Sequence, residues 1–283
     1  MGNKKKLINK GLIDLFPLGI NMFVDLFAGS AVVSMNTKAK KYVVNDLDIN
    51  LINLYNLFKT KDSSEIINHI ESRINEYGMA RERTKRNEYK DKEKIDEYKK
   101  AYIKLRTAYN KNPTNVLDLY TLMFYSFSQQ MRFNNKGEFN MPCGNDCFSD
   151  TNKEYIKNGC GFFNQGNVYI TNNSFDKLNI SKLKNNDFVY LDPPYLNTTA
   201  TYNESGGWSE KDEENLYNLC ENLNKQHIKF ALSNVFENKG FENIKLKTWC
   251  YKMEWNVYTF DKFSYMACGK GNSNAKEVLI TNY

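Results

Sequence analysis

Two consecutive strand-turn-helix units near the amino terminus constrain this chain more than any other feature. In NMFVDLFAGSAVV, Asn21 to Val33, a short apolar run containing Phe23 and Val24 reaches a small-residue turn at Ala28-Gly29-Ser30-Ala31. The apolar residues that resume at Val32, Val33 and Met35 predict a helix. In KKYVVNDLDINLINLYNLFK, Tyr42 to Val44 predict a second buried strand, Asp46 stands at its carboxyl end, and Leu51, Ile52, Leu54, Tyr55 and Phe58 recur at helical spacing. Strands that each hand over to a helix lie parallel, so the pattern predicts an α/β fold on a parallel sheet.

Further strand signals follow near Val168 to Thr171, Phe188 to Leu191 and Ile228 to Ser233, and KEVLITNY suits a last strand. Between two of these, SEKDEENLYNLCENLNKQ reads as a helix whose start at Ser209 is capped with help from Asp212 and Glu213. From about Lys59 to Asn112 the character changes to long, charged, helix-favouring sequence with no proline and the single Gly78, which predicts a helical insert. A more apolar helix, NVLDLYTLMFYSFSQQ, follows Pro113, and in RFNNKGEFNMP the tip Asn134-Asn135-Lys136-Gly137 between Phe133 and Phe139 predicts a hairpin. A length of 283 residues accommodates one large domain carrying such an insert.

Composition narrows the function classes. No apolar run approaches the roughly 20 residues of a membrane span, and the basic start MGNKKKLINKGLIDLF has no signal-peptide pattern, so the chain reads as intracellular. Six scattered cysteines form no paired CxxC pattern; Cys143 and Cys147 are half of a metal site at best, and no bound metal is expected. A formal net charge of +6 is compatible with a polyanionic partner without demanding one.

In an open parallel sheet, ligands bind beyond the carboxyl ends of the strands. Three features occupy such ends: Phe27 to Ser30, Asp46, and the Asp192-Pro193-Pro194-Tyr195 turn after FVYL. The small residues let a ligand approach the backbone and the following helix terminus, and Asp46 sits where a carboxylate accepts from both hydroxyls of a ribose, although it could equally cap its helix. A double proline ends a strand in any protein; the acid before it and the ring after it have no such explanation. Asp192 and the Pro193 carbonyl form two acceptors beside the flat face of Tyr195, which suits a planar ring with an exocyclic amino group, such as an adenine turned out of a nucleic-acid stack. Placed at a strand end facing solvent, Asp192 is expected to be replaceable by alanine without loss of the fold.

The order GNKKKLI, FVDLFAGS, VVNDLDINLINLYN, RFNNKGEFNMPCG, VYLDPPY, ALSNVF and EVLITNY resembles that of the Dam-type (D12 class, alpha group) site-specific DNA adenine N6-methyltransferases, over essentially the whole chain. The resemblance implies a Rossmann-like S-adenosylmethionine-dependent catalytic domain, residues 1–58 and 150–283, interrupted by a mainly helical target-recognition domain, residues 59–149, with a β-hairpin that enters double-stranded DNA. It implies that Lys4, Asp25, Phe27, Ala28, Gly29, Ser30, Asp46 and Asp192 bind S-adenosylmethionine. Asp192, Pro193, Pro194 and Tyr195 would hold the flipped adenine, and Ser128, Arg132, Asn134 and Pro142 would contact DNA. It further implies a cytoplasmic protein of bacterial or phage origin, with a cognate restriction endonuclease as a possible partner and no membrane.

In the helical insert, Lys85, Arg86, Lys99, Lys100, Lys104 and Arg106 are either solvated surface or phosphate contacts. Thr199 to Trp208 reads as a lid with Gly206 and Gly207 as hinges. Two departures from the family pattern stand out: Ala31 replaces the second glycine of FxGxG, and Asp146, a carboxylate, stands near the place where GATC-specific relatives have a guanine-reading arginine, so GATC recognition is not assumed. The alternatives are an RNA adenine methyltransferase and a non-catalytic DNA-binding relative.

Overall fold

The computed structural model describes residues 4–84, 92–195, 208–238, 240–263 and 275–283. In chain order the elements are α1 (Lys5–Ile8), β1 (Ile20–Asp25), α2 (Val32–Asn36), β2 (Ala39–Asn45), α3 (Ile49–Thr60), α4 (Ser63–Tyr77), α5 (Lys92–Lys111), α6 (Val116–Tyr125) and α7 (Asp150–Phe163). After them come β3 (Val168–Thr171), β4 (Phe188–Leu191), α8 (Glu210–Lys225), β5 (Lys229–Asn238), β6 (Phe241–Glu242), α9 (Ile244–Met253), β7 (Asn256–Phe263) and β8 (Ala275–Thr281). They form two compact units, residues 50–166 and residues 2–49 with 167–283.

The second unit carries one sheet in the order β3-β2-β1-β4-β5-β8-β7, with β6 paired to β5. The first five strands are parallel, and β8 and β7 add antiparallel at the far side. Alternation along the strands divides the core. Val24, Val189, Leu191, Phe230 and Leu232 pack with Leu216, Leu223, Leu246 and Trp249 of α8 and α9. Phe23, Phe188 and Tyr190 instead meet Phe16 in an aromatic layer. Each such side chain contributes about 1.5–3 kcal/mol when fully buried. The capped start of α8 is a capping box between Ser209 and Asp212.

The first unit is helical. Ile66, Ile70 and Ile74, at helical spacing on α4, are buried, and Gly78 ends that helix at φ 69°. α6 buries seven of its ten residues, and Asp118 near its start accepts from His69 Nε2 and Arg73 Nε of α4, both at 2.8 Å. The charged surface pairs locally, as in Lys61–Glu65 and Lys99–Asp96. Two sequence expectations, Lys85 with Arg86 and the stretch from Thr199 to Gly207 with both hinge glycines, lie outside the described residues, as does Cys268.

Candidate active site

β1 lies between β2 and β4, so strand order reverses at the β1–β4 pair, where open sheets bind their ligands. Asp25 pairs with Val44 on one side and Tyr190 on the other. Phe27, Asp46 and Asp192 each stand two residues further along, so the three segments leave the sheet at one level.

The turn after β1 is built by its neighbours. Ala28 N donates to Asn45 O at 2.9 Å, and Asn45 Nδ2 donates to Leu26 O at 3.0 Å and to Asn173 O at 2.9 Å. Asp46 accepts from Gly29 N at 2.8 Å on Oδ2 and from Asp48 N at 2.9 Å on Oδ1, so one carboxylate joins this turn to the one after β2. Burial raises the Asp46 pKa, partly against those N–H groups. Gly29 has φ +53°, and a Cβ there would meet no atom within 4 Å, leaving room for close approach to the backbone. Ala31 adopts φ 55°, ψ 15° while fully buried, so the turn keeps a left-handed path where the family pattern has glycine. α2 spans only five residues. Ser30 is half-buried beside Gly29. The Phe27 ring packs 5.4 Å from Phe175 and 5.8 Å from Trp208. Asp25 points into the interior, where Oδ2 accepts from Ser34 Oγ at 2.6 Å and burial pushes its pKa up to about 7.

At the end of β4, Lys4 Nζ lies 2.8 Å from Asp192 Oδ1 and donates to Tyr195 Oη at 2.7 Å. Tyr195 Oη in turn donates to Asp192 Oδ1 at 3.3 Å. A second carboxylate, Glu277 of β8, stands 3.8 Å from the same ammonium. Burial pulls the Lys4 pKa down, but Asp192 and Glu277 more than reverse it; burial pushes Glu277 up to about 7 against the pull of Lys4. Pro193 and Pro194 carry the chain from Asp192 to Tyr195 without amide donors. The Asp192 side chain is 22% exposed, so it is less open than the expected solvent-facing strand end.

In the helical unit, Phe133 and Phe139 pair antiparallel, as do Ser126 and Cys143. The Asn134 side chain builds the tip: Oδ1 accepts from Lys136 N and Glu138 N, and Nδ2 donates to Glu138 Oε2. Arg132 Nε donates to Asn140 Oδ1 at 2.9 Å across the neck. Pro142 O accepts from Phe127 N. Ser128 and Gln129 both have positive φ, 56° and 51°, a strained pair of a kind that clusters at functional sites. Arg106, weighed as a phosphate contact, donates to Met141 O and so braces the hairpin; Lys99 pairs with Asp96, and Lys100 and Lys104 are exposed. Asp146 pairs with Arg83 at 2.7 Å. Cys143 and Cys147 are free thiols, and no group of three His, Cys, Asp or Glu among the described residues could hold a metal.

A family model for D12 class N6 adenine-specific DNA methyltransferases matches residues 1–259. The chain belongs to that class. Over its whole length it is 39% identical to the modification methylase StsI of Streptococcus sanguinis and 37% identical to the type II methyltransferase M.FokI of Planomicrobium okeanokoites. It spans 42% of the length of each of these two relatives. It is also 25% identical, over 75% of its residues, to the DNA adenine methylase of Escherichia coli (strain K12). Mixed α/β architecture with a largely parallel sheet fits a methyltransferase fold of this class, and no described helix is long and apolar enough to cross a membrane.

Several residues that shape these turns were not singled out by the sequence as candidate site residues. Asn172 donates to both Asp46 O and Leu47 O, clamping the turn after β2. Ser34 and Asn45 serve Asp25 and the first turn. Glu277 opens the closing EVLITNY run, but nothing in that run pairs it with Lys4, which it reaches only through sheet order.

Proposed function

We propose that this chain is a site-specific DNA methyltransferase that transfers a methyl group from S-adenosylmethionine to N6 of an adenine turned out of double-stranded DNA. The observation that carries this reading is the Lys4–Asp192–Tyr195 cluster at the switch point of the sheet, in a chain of the D12 class.

The residues present fit the cofactor. Open space beside Gly29 admits a ligand against the backbone, Asp46 offers a carboxylate for ribose hydroxyls, and Phe27, Ala28 and Ser30 line the same turn, with Asp25 behind it and Lys4 and Asp192 at the next strand end. Bound there, S-adenosylmethionine supplies an electrophilic sulfonium methyl group. Asp192 and the Pro193 carbonyl accept the two N6 hydrogens, which draws the amino lone pair out of the ring. Tyr195, its hydroxyl anchored, supports the base, and Pro194 keeps the turn rigid. Positive charge that develops on N6 is stabilised by the Asp192 carboxylate, and the proton then leaves to solvent. Positioning and electrostatics dominate such a reaction.

Residues 59–149 are read as the inserted recognition domain, with Ser128, Arg132, Asn134 and Pro142 at or beside the hairpin that meets DNA. A short specific site containing adenine is the substrate, and a cognate restriction endonuclease belongs to the same reading. The test incubates the purified chain with tritiated S-adenosylmethionine and either duplex DNA or RNA. Label on adenine N6 of duplex DNA is expected; label on RNA alone overturns the substrate, and no label on either overturns the activity.

A further inference from the structure

We propose that Glu277 is a positioning residue for the Asp192 carboxylate, acting through Lys4. The inference rests on the functional reading above and assigns a role to a residue beyond the segment the family model matches.

Glu277 is 1% exposed, and among the described residues its Oε2 has no hydrogen-bond partner. Its neighbours on β8, Val278, Leu279 and Ile280, are buried and apolar, so an apolar side chain would serve packing at this place. A carboxylate put there instead is unfavourable unless an opposite charge answers it. The charge available is the Lys4 ammonium at 3.8 Å.

The strands on both sides of β8 break register at this residue. On β5, Val235 is opposite Glu277, but Glu237 is opposite Lys276. On β7, Phe260 is opposite Glu277, and Phe263 is opposite Ala275. Bulges re-aim side chains and are enriched beside active sites; here two of them flank a single buried acid.

The consequence falls on Asp192. Its Oδ1 takes both the Lys4 and the Tyr195 contacts, so the torsion of the carboxylate, and with it the aim of Oδ2, follows the ammonium. Lysine is a point charge on a flexible stem. Held by Asp192 and Tyr195 alone, the ammonium can swing with them; a second anion in the wall of the sheet fixes it. Glu277 makes no contact with substrate in this scheme and acts on the reaction by holding the group that does.

The test compares wild type, Glu277→Gln, Lys4→Met and the double variant in methyl transfer to duplex DNA. Melting temperature and calorimetric binding of S-adenosylmethionine are measured alongside. Glu277→Gln is expected to lower kcat about ten- to a hundredfold, the scale of a misplaced reacting group. The KM for DNA and the dissociation constant for S-adenosylmethionine stay within about twofold, the split that marks loss of an interaction felt in the transition state. Because Glu277 acts through Lys4, the double variant is expected to be no slower than Lys4→Met alone. If Glu277→Gln does not fold, Glu277→Asp, which keeps the charge and withdraws it by one methylene, carries the same comparison. An unchanged kcat, or a loss that adds in full to that of Lys4→Met, overturns the inference alone. A wild-type chain that transfers no methyl group in the same assay overturns the functional reading and this inference with it.

Discussion

Lys4 Nζ lies 2.8 Å from Asp192 Oδ1, with the two side chains only 12% and 22% exposed, so residues 188 positions apart neutralise each other largely out of water. Removing one partner of such a pair leaves the other uncompensated. Lys4→Met is therefore expected to lower stability by up to about 3 kcal/mol and to slow methyl transfer, read by urea denaturation and by single-turnover kinetics. A variant as stable and as fast as wild type removes the pair from the account of both.

Ala31 is held at φ 55° inside the turn after β1. Glycine relieves about 1 kcal/mol of left-handed strain but loses a buried methyl worth about 0.8 kcal/mol, so Ala31→Gly is expected to be close to neutral. Ala31→Val adds β-branching to the same backbone and volume to a buried site, and is expected to cost about 1–3 kcal/mol. Thermal melts of the two variants separate them; equal melting temperatures would contradict the assigned backbone.

Asp46 bonds Gly29 N with one oxygen and Asp48 N with the other. Asn supplies one acceptor and turns an amide N–H towards the second donor. Asp46→Asn is expected to cost about 1–3 kcal/mol of stability and to weaken calorimetric binding of S-adenosylhomocysteine about tenfold or more, because the ribose carboxylate is also lost. Unchanged affinity would take Asp46 out of the cofactor site.

Burial raises the pKa of Asp25 from 3.8 to about 7, so the folded chain binds this proton more tightly than the unfolded chain. The stability it contributes is complete below about pH 4 and is lost as pH rises through about 7. Asn at this position stays neutral throughout. The stability of Asp25→Asn relative to wild type is expected to grow between about pH 4 and pH 7 and then level off, measured by denaturant titration at each pH. A difference that does not change with pH would contradict a buried, proton-holding Asp25.

The sheet strands were largely legible in sequence because parallel strands buried on both faces read as short apolar runs, as at Val43, Val44 and Phe188 to Leu191. Ser209 and Asp212 announced α8 by their capping pattern. α7 was not legible: DTNKEYIKNGCGFF carries two glycines and a weak apolar stripe, and its capping box at Ser149 and Asn152 uses an asparagine in the place usually taken by Glu or Gln. Of the site, the motif residues were visible because each sits at a strand end beside a turn. How they come together was not. Lys4 meets Asp192 and Glu277 only because β4, β5 and β8 lie side by side, and no local spacing encodes that order. Asp192 is less open than a solvent-facing strand end for the same reason: the cation that partly covers it comes from the other end of the chain. Alanine at 192 would leave Lys4 without its nearest anion, so the isosteric amide is the cleaner replacement.

The most direct measurement is the yield of N6-methyldeoxyadenosine, by nucleoside digestion and mass spectrometry, after duplex DNA is incubated with S-adenosylmethionine and either wild type or Asp192→Asn. Wild type is expected to form the modified nucleoside. Asp192→Asn, still folded and still binding S-adenosylmethionine in calorimetry, is expected to form it at least about a hundredfold more slowly, the loss that follows when a preorganised electrostatic partner of the transition state is removed. Asp192→Asn turning over at the wild-type rate would contradict the central claim that this carboxylate holds the reacting amino group.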